Sequence, residues 1–191
     1  MSHPTISYII PSIGRESVKR TLASIEQRPG DEILVIQLDK PSGTYGNMER
    51  QIGMEKATGD YLAFIDDDNY YVQGHRDLHA RAIAYAPDRP TLFRIQYPNG
   101  RLLWESKRVK NGNVDTQMIL VPNRKEMLTR WEPRSKGGHR SVDFHFINCW
   151  QWPAKSIHWC AEVIAMMGRD DPRHVAWLQK YGEEPNGGTQ P

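Results

Sequence analysis

Ala57-Thr58-Gly59-Asp60-Tyr61-Leu62-Ala63-Phe64-Ile65-Asp66-Asp67-Asp68-Asn69 is the stretch on which the fold turns. A Gly-Asp turn is followed by an apolar run, residues 61–65, too short for a helix. The run passes directly into three carboxylates, so it reads as a buried strand with a charged exit.

The same pattern extends to either side. Residues 6–10 form an apolar run stopped by Pro11, and residues 32–38 form another ended by Asp39-Lys40-Pro41-Ser42-Gly43. Between the strands, residues 16–27 carry Val18, Leu22 and Ile25 at helical spacing, closed by Pro29-Gly30. Residues 48–58 carry Ile52, Met54 and Ala57, closed by Gly59, and residues 72–85 read as a third helix. Strands alternating with helices predict an α/β fold: a mainly parallel sheet with helices on both faces. Such sheets bind ligands outside the carboxyl ends of their strands. Those exits are Pro11-Ser12, Asp39-Lys40 and Asp66-Asp67-Asp68.

The second half is less regular. Residues 91–96 and 101–105 flank Asn99-Gly100, a strong hairpin signal. Residues 117–121 read as a strand, 125–130 as a short helix and 135–140 as a basic, glycine-containing loop. Residues 142–150 fit a helix, with strand-like alternation as the alternative. Asp171-Pro172 opens a helix to about 181, and 183–191 read as a disordered polar tail. The length suits one domain, residues 1–182, with a regular first half over about 1–85 and a less regular second half over 86–182.

Composition narrows the class. No apolar run reaches the roughly 18 residues of a membrane span, and Met1-Ser2-His3-Pro4 does not resemble a signal peptide. Only Cys149 and Cys160 are present, too few for a disulfide scaffold. A cytoplasmic protein is expected. The net charge of +2 conceals an uneven distribution: residues 101–140 hold ten Lys/Arg against four Asp/Glu. A basic middle suits an anion.

Asp66-Asp67-Asp68 is the most informative feature. Adjacent carboxylates repel unless a cation is near. Asp66 and Asp68 can share one side of an extended segment, and carboxylate oxygens suit Mg²⁺ or Mn²⁺ completed by water and phosphate oxygens. A solvated acidic turn is the plain alternative.

Residues 5–70 resemble the nucleotide-sugar half of a GT-A fold glycosyltransferase, a Rossmann-like three-layer sandwich, in the large inverting family that uses nucleotide-diphospho-sugars. The resemblance rests on Ile9-Ile10-Pro11-Ser12 with Arg15, on Leu38-Asp39, on Glu49-Arg50-Gln51-Ile52-Gly53, and on the run from Ala57 to Asp68. Gln51 stands where the family commonly has Asn. The resemblance implies that Asp39 receives the base, accepting an imide proton if the base is uracil. It implies that Pro11, Ser12 and Arg15 line the nucleotide, and that Gly46, Asn47 and Arg50 sit beside base or phosphate. Asp66 or Asp67 would contact ribose or sugar hydroxyls, and Asp68 would bind the metal bridging the diphosphate.

Inverting transfer also needs a general base. Gly137-Gly138-His139-Arg140-Ser141-Val142-Asp143 loosely resembles the family's loop before its carboxylate pair, with Val142 replacing the first carboxylate. Asp143 is the expected base and Asp115 the runner-up. In several GT-A enzymes a late histidine completes the metal shell; His158 stands at a similar place and would favour Mn²⁺. His75 and His79 read as exposed helical residues without a role.

Trp104 and Trp131 within the basic segment suit stacking on bases or sugars, which makes a hydroxylated base in DNA one candidate acceptor beside a lipid carrier or a small sugar. Lys136-Gly137-Gly138 reads as a candidate lid. The expected activity is transfer of a sugar from a nucleotide-diphospho-sugar, a UDP-sugar first, to a hydroxyl. The competing readings are a nucleotidyltransferase, disfavoured by the single glycine in Pro11-Ser12-Ile13-Gly14-Arg15, and a non-catalytic binder of nucleotide-sugar or nucleic acid.

Overall fold

The computed structural model describes residues 3–132 and 142–168. Three parallel strands build the first half: β1 (Ile6–Ser12) in the middle, β2 (Glu32–Gln37) on one side and β3 (Tyr61–Phe64) on the other. Ile6, Tyr8, Ile9 and Ile10 are all fully buried. Both faces of β1 are covered, so its sequence is a continuous apolar run instead of an alternation. The crossovers are α1 (Val18–Ala23) and α2 (Asn47–Lys56). Helix α2 lies so close to the sheet that a Cβ on Gly53 would stand 2.5 Å from Ile9 Cγ2.

The Gly-Asp turn before β3 is a clamp. A Cβ on Gly59 would come within 2.7 Å of the Ser7 backbone nitrogen. The Asp60 carboxylate accepts from the Thr5 backbone N–H at 2.8 Å and from its hydroxyl at 2.9 Å. This part of the motif fixes β3 against β1 and performs no chemistry.

Beyond β3 come β4 (Tyr70–Tyr71), α3 (His75–Tyr85), β5 (Thr91–Gln96), β6 (Leu102–Leu103), β7 (Ile119–Pro122), α4 (Val142–Asn148) and β8 (His158–Met166). The sheet order is β2-β1-β3-β7-β5-β8-β4, with β6 on β5. Strand β7 is antiparallel to β3 and β5, whereas β5 and β8 are parallel. The sheet curls: β4 lies on the edge opposite β2, yet the Asn69 carbonyl accepts from Thr21 of α1 at 2.6 Å, and Tyr71 N–H donates to Ser24 Oγ at 3.0 Å. The expected mainly parallel α/β sheet between helices is observed. No helix among the described residues is long and apolar enough to cross a membrane.

Several expectations need correction. Residues 125–130 form a turn rather than a helix, because the Met127 carbonyl is taken by Gln151 N–H at 2.8 Å and not by an intrahelical partner. Strands β4 and β8 were not expected. The indoles of Trp104 and Trp131 are buried and cannot stack on a ligand: Trp104 lies under Arg94, and Trp131 stacks on Phe146 at 3.9 Å. The 136–138 lid, most of the glycine-rich loop before Asp143, the 171–181 helix and the 183–191 tail lie outside the described residues.

His75 and His79 are buried, not exposed. They face the sheet one helical turn apart, against Tyr8 and Tyr71, with the His75 ring stacked on Tyr71 at 4.4 Å. His79 Nδ1 lies 3.4 Å from the Tyr8 hydroxyl. Burial pulls the His75 imidazole down to about 4 and that of His79 well below its ordinary range.

A pH dependence follows. Unfolded, His75 titrates near 6.5. Above that pH it is neutral in both states. Between 6.5 and 4 the unfolded chain takes up a proton that the folded chain refuses, so stability falls as pH falls. Asp143, raised to about 6, has the opposite slope, so the comparison must be with a variant. His75→Phe keeps the ring stack and is expected to lose about 3 kcal/mol less than wild type between pH 7 and pH 4. Urea melts at the two pH values check this; equal losses in both proteins refute it.

Candidate active site

The three strand exits meet. Ser12 ends β1, and its hydroxyl donates to Asp67 Oδ2 at 2.9 Å; the Ile13 N–H reaches the same oxygen at 3.2 Å. Arg15, in the loop leading into α1, places Nη1 2.6 Å from Asp68 Oδ2 and 3.6 Å from Asp67 Oδ1. From α2, Arg50 donates to Asp66 Oδ1. The carboxylate repulsion expected from the sequence is thus met by two arginines, and the acidic turn is not solvated: Asp67 and Asp68 are buried, while the Asp66 side chain is 25% exposed.

Arg50 is held on several sides. Its Nη1 donates to the Tyr45 carbonyl at 3.0 Å and to Asn47 Oδ1 at 3.2 Å, and its guanidinium lies 5.2 Å from the centre of the Trp131 ring. Gly46 precedes α2 at φ +82°, where a Cβ would touch Pro11 at 3.0 Å and Arg50 Nη1 at 3.1 Å. Only glycine suits that position. Asp39 follows β2, which runs parallel to β1, and is exposed. Pro11, Ser12, Arg15, Asp39, Gly46, Asn47, Arg50, Asp66, Asp67 and Asp68 therefore all lie at one end of the sheet.

The second half supplies the far wall. Because β7 is antiparallel to β3, the residues before β7 lie level with the exit of β3. Gln117 there donates from Nε2 to Asp66 Oδ2 at 2.8 Å, and Thr116 donates to Asp143 Oδ1 at the start of α4. Burial, then the neighbouring Asp115 carboxylate, push Asp143 up to about 6, with Arg50 opposing. A carboxyl group at that value ionises near neutral pH and can take a proton there. Arg50 Nε and Gln117 Oε1 are buried with no hydrogen-bond partner among the described residues, an uncommon state for buried polar atoms.

Sequence reading missed Thr116, Gln117, Arg20 and Gly168. Arg20 Nη2 donates to the Asp68 carbonyl at 2.8 Å, and the Gly168 N–H donates to Asn69 Oδ1 at 2.8 Å. A Cβ on Gly168 would lie 1.8 Å from the Asp68 carbonyl oxygen. Gln117 could have been suspected as the polar first residue of a predicted strand; Gly168 offers no local signal.

His158 is not brought to Asp68. It pairs with Thr91 at the start of β5, whereas Met166 pairs with Gln96 and with Tyr70. Five residue steps of β5, roughly 17 Å, separate His158 from the strand end beside Asp68, far beyond the roughly 2 Å reach of a shared ion. Its ring bonds to Thr91 Oγ1 at 3.2 Å and lies 4.8 Å from that of Tyr85. Among the described residues no group of three His, Cys, Asp or Glu side chains could hold a metal. Of the two expected metal ligands, Asp68 alone lies at the strand exits; a single carboxylate there would leave a divalent ion to be completed by water and phosphate oxygens, not by an all-protein cage.

The fold matches that of solved structures of a GT-A-type glycosyltransferase, in line with the resemblance of the sequence motifs. The likeness is to crystal structures of Staphylococcus aureus TarS. TarS 1–349 superposes with a TM-score of 0.62 at 14% identity, over 92% of this chain and 63% of that one. TarS 1–349 in complex with UDP-GlcNAc gives 0.66 at 14% identity over 90% and 60%, and the complex with UDP gives 0.58 at 13% identity over 92% and 63%. The chain thus spans about 60% of the length of these structures. No protein-family profile and no curated protein matches the sequence.

Proposed function

We propose that the protein transfers a sugar from a nucleotide-diphospho-sugar, a UDP-sugar, to an acceptor hydroxyl with inversion. The observation that carries this is Asp143: a half-buried carboxyl group, raised to about 6, against the Arg50–Asp66–Gln117 cluster at the strand exits. The UDP and UDP-GlcNAc complexes of TarS, which has the same fold, support the donor class.

In this reading Asp39 and the loop from Gly46 to Arg50 receive base and phosphates, and Asp66 with Gln117 holds sugar hydroxyls. Asp143 accepts the acceptor's proton as the acceptor oxygen bonds to the anomeric carbon. The bond from that carbon to the diphosphate breaks on the opposite face, which inverts the centre. Asp68 would hold Mn²⁺ or Mg²⁺, whose chemistry is to neutralise the leaving diphosphate. The exposed Lys107, Arg108 and Lys110 suit an anionic acceptor such as DNA better than the buried tryptophans do.

Thermal melting tests the donor reading. UDP at a hundred times its dissociation constant should stabilise the protein by about 2.7 kcal/mol, a rise of several degrees. With a UDP-sugar and an acceptor, UDP should be released. No rise with UDP, with or without Mn²⁺, sinks the reading; release of pyrophosphate would instead mark a nucleotidyltransferase.

A further inference from the structure

The Asp68 carboxylate is held by a partner that can leave, on a backbone that cannot. Arg15 Nη1 lies 2.6 Å from Asp68 Oδ2, and the arginine side chain is 40% exposed against 5% for the aspartate. Asp68 is fixed from behind, through the Arg20 contact to its carbonyl and the close approach of Gly168 to the same oxygen. Arg15 instead follows Gly14, at φ +81°, and among the described residues its side chain is held by the Asp67 and Asp68 carboxylates alone.

A guanidinium and a divalent ion cannot share one carboxylate without strong mutual repulsion. We propose that Arg15 and a divalent cation compete for Asp68, so that binding of the ion releases Arg15 to the diphosphate of the nucleotide. The inference rests on the donor reading above and adds a coupling to it. Without the ion, Arg15 neutralises Asp68. With the ion in place, the planar guanidinium is free for phosphate oxygens, which its paired donors suit. Metal and nucleotide then bind cooperatively, and the effect is reciprocal.

The test uses the full chain and Mn²⁺ alone, titrated while the resonance of free Mn²⁺ is followed by electron paramagnetic resonance. Arg15→Gln should bind Mn²⁺ at least tenfold tighter than wild type, and Arg15→Lys, which keeps the charge, should stay within about threefold of wild type. Added UDP, with its own Mn²⁺ complex measured without protein and subtracted, should tighten Mn²⁺ binding in both proteins through its phosphate oxygens, but at least tenfold more in wild type than in Arg15→Gln. Equal or weaker Mn²⁺ binding by Arg15→Gln, or none by either protein, overturns the competition; equal tightening by UDP in both proteins overturns the coupling. If UDP binds to neither protein, the donor reading falls with the coupling, while the titration without nucleotide still decides whether Arg15 and the ion compete.

Discussion

Asp143→Asn should lower kcat for sugar transfer by about 10³-fold, within the usual range for removing a general base. The amide retains the shape of the side chain and can still accept from the Thr116 hydroxyl, but it cannot take a proton. The variant should not melt below wild type. Ionised Asp143 is disfavoured by burial and by Asp115, so replacing it with a neutral group relieves a cost at neutral pH. Loss of activity without loss of stability separates a chemical role from a structural one.

The pH profile gives a second readout. With the pKa raised to about 6, activity in wild type should climb tenfold per unit below that pH and level off above it, and the variant should lose that limb. Wild-type activity in Asp143→Asn would move the base to Asp115, whose carboxylate is near enough to raise Asp143 electrostatically. The paired variants Asp115→Asn and Asp143→Asn then decide between them.

The parts of this site visible in sequence are those built by short-range rules. An apolar run ending in Asp66-Asp67-Asp68 must be a covered strand with a polar exit, and Gly59 and Gly46 sit where the backbone approaches its neighbours too closely for a Cβ. What the sequence could not supply depends on pairing across the sheet. Gln117 reaches Asp66 only because β7 is antiparallel to β3. The two-residue β4 exists only because β8 returns beside it. His158 was placed by its order in the chain, whereas its distance from Asp68 is set by the register of β8 on β5. His75 and His79 lie one helical turn apart, which predicts a shared face but not which face. The curl that brings α3 against Tyr8 and Tyr71 decides that.

The largest effect on folding should come from the opposite end of the sheet. Asp31 and Arg76 form a buried, two-pronged ion pair, with Nε to Oδ2 at 2.6 Å and Nη2 to Oδ1 at 3.0 Å. The Asp31 carboxylate also accepts from the Ile6 and Arg28 backbone N–H groups, both at 2.8 Å, and Arg76 donates to the Pro4 carbonyl. These bonds tie the start of β1, the loop before β2 and helix α3 together. Asp31→Ala leaves a buried guanidinium uncompensated and two backbone donors without their acceptor, and should cost about 3–5 kcal/mol, a drop in melting temperature of about 10 °C or more. Asp31→Ala with Arg76→Ala should be less damaging than the two separate losses summed, because no orphan charge remains. Neither residue touches the strand exits, so folded Asp31→Ala at low temperature should transfer sugar at the wild-type rate. A loss below 1 kcal/mol would mean that the pair is solvated and does not brace the sheet. The two substitutions divide the molecule by function: at one end a carboxylate is kept under electrostatic strain where chemistry needs it, and at the other a carboxylate is fully satisfied where only the fold needs it.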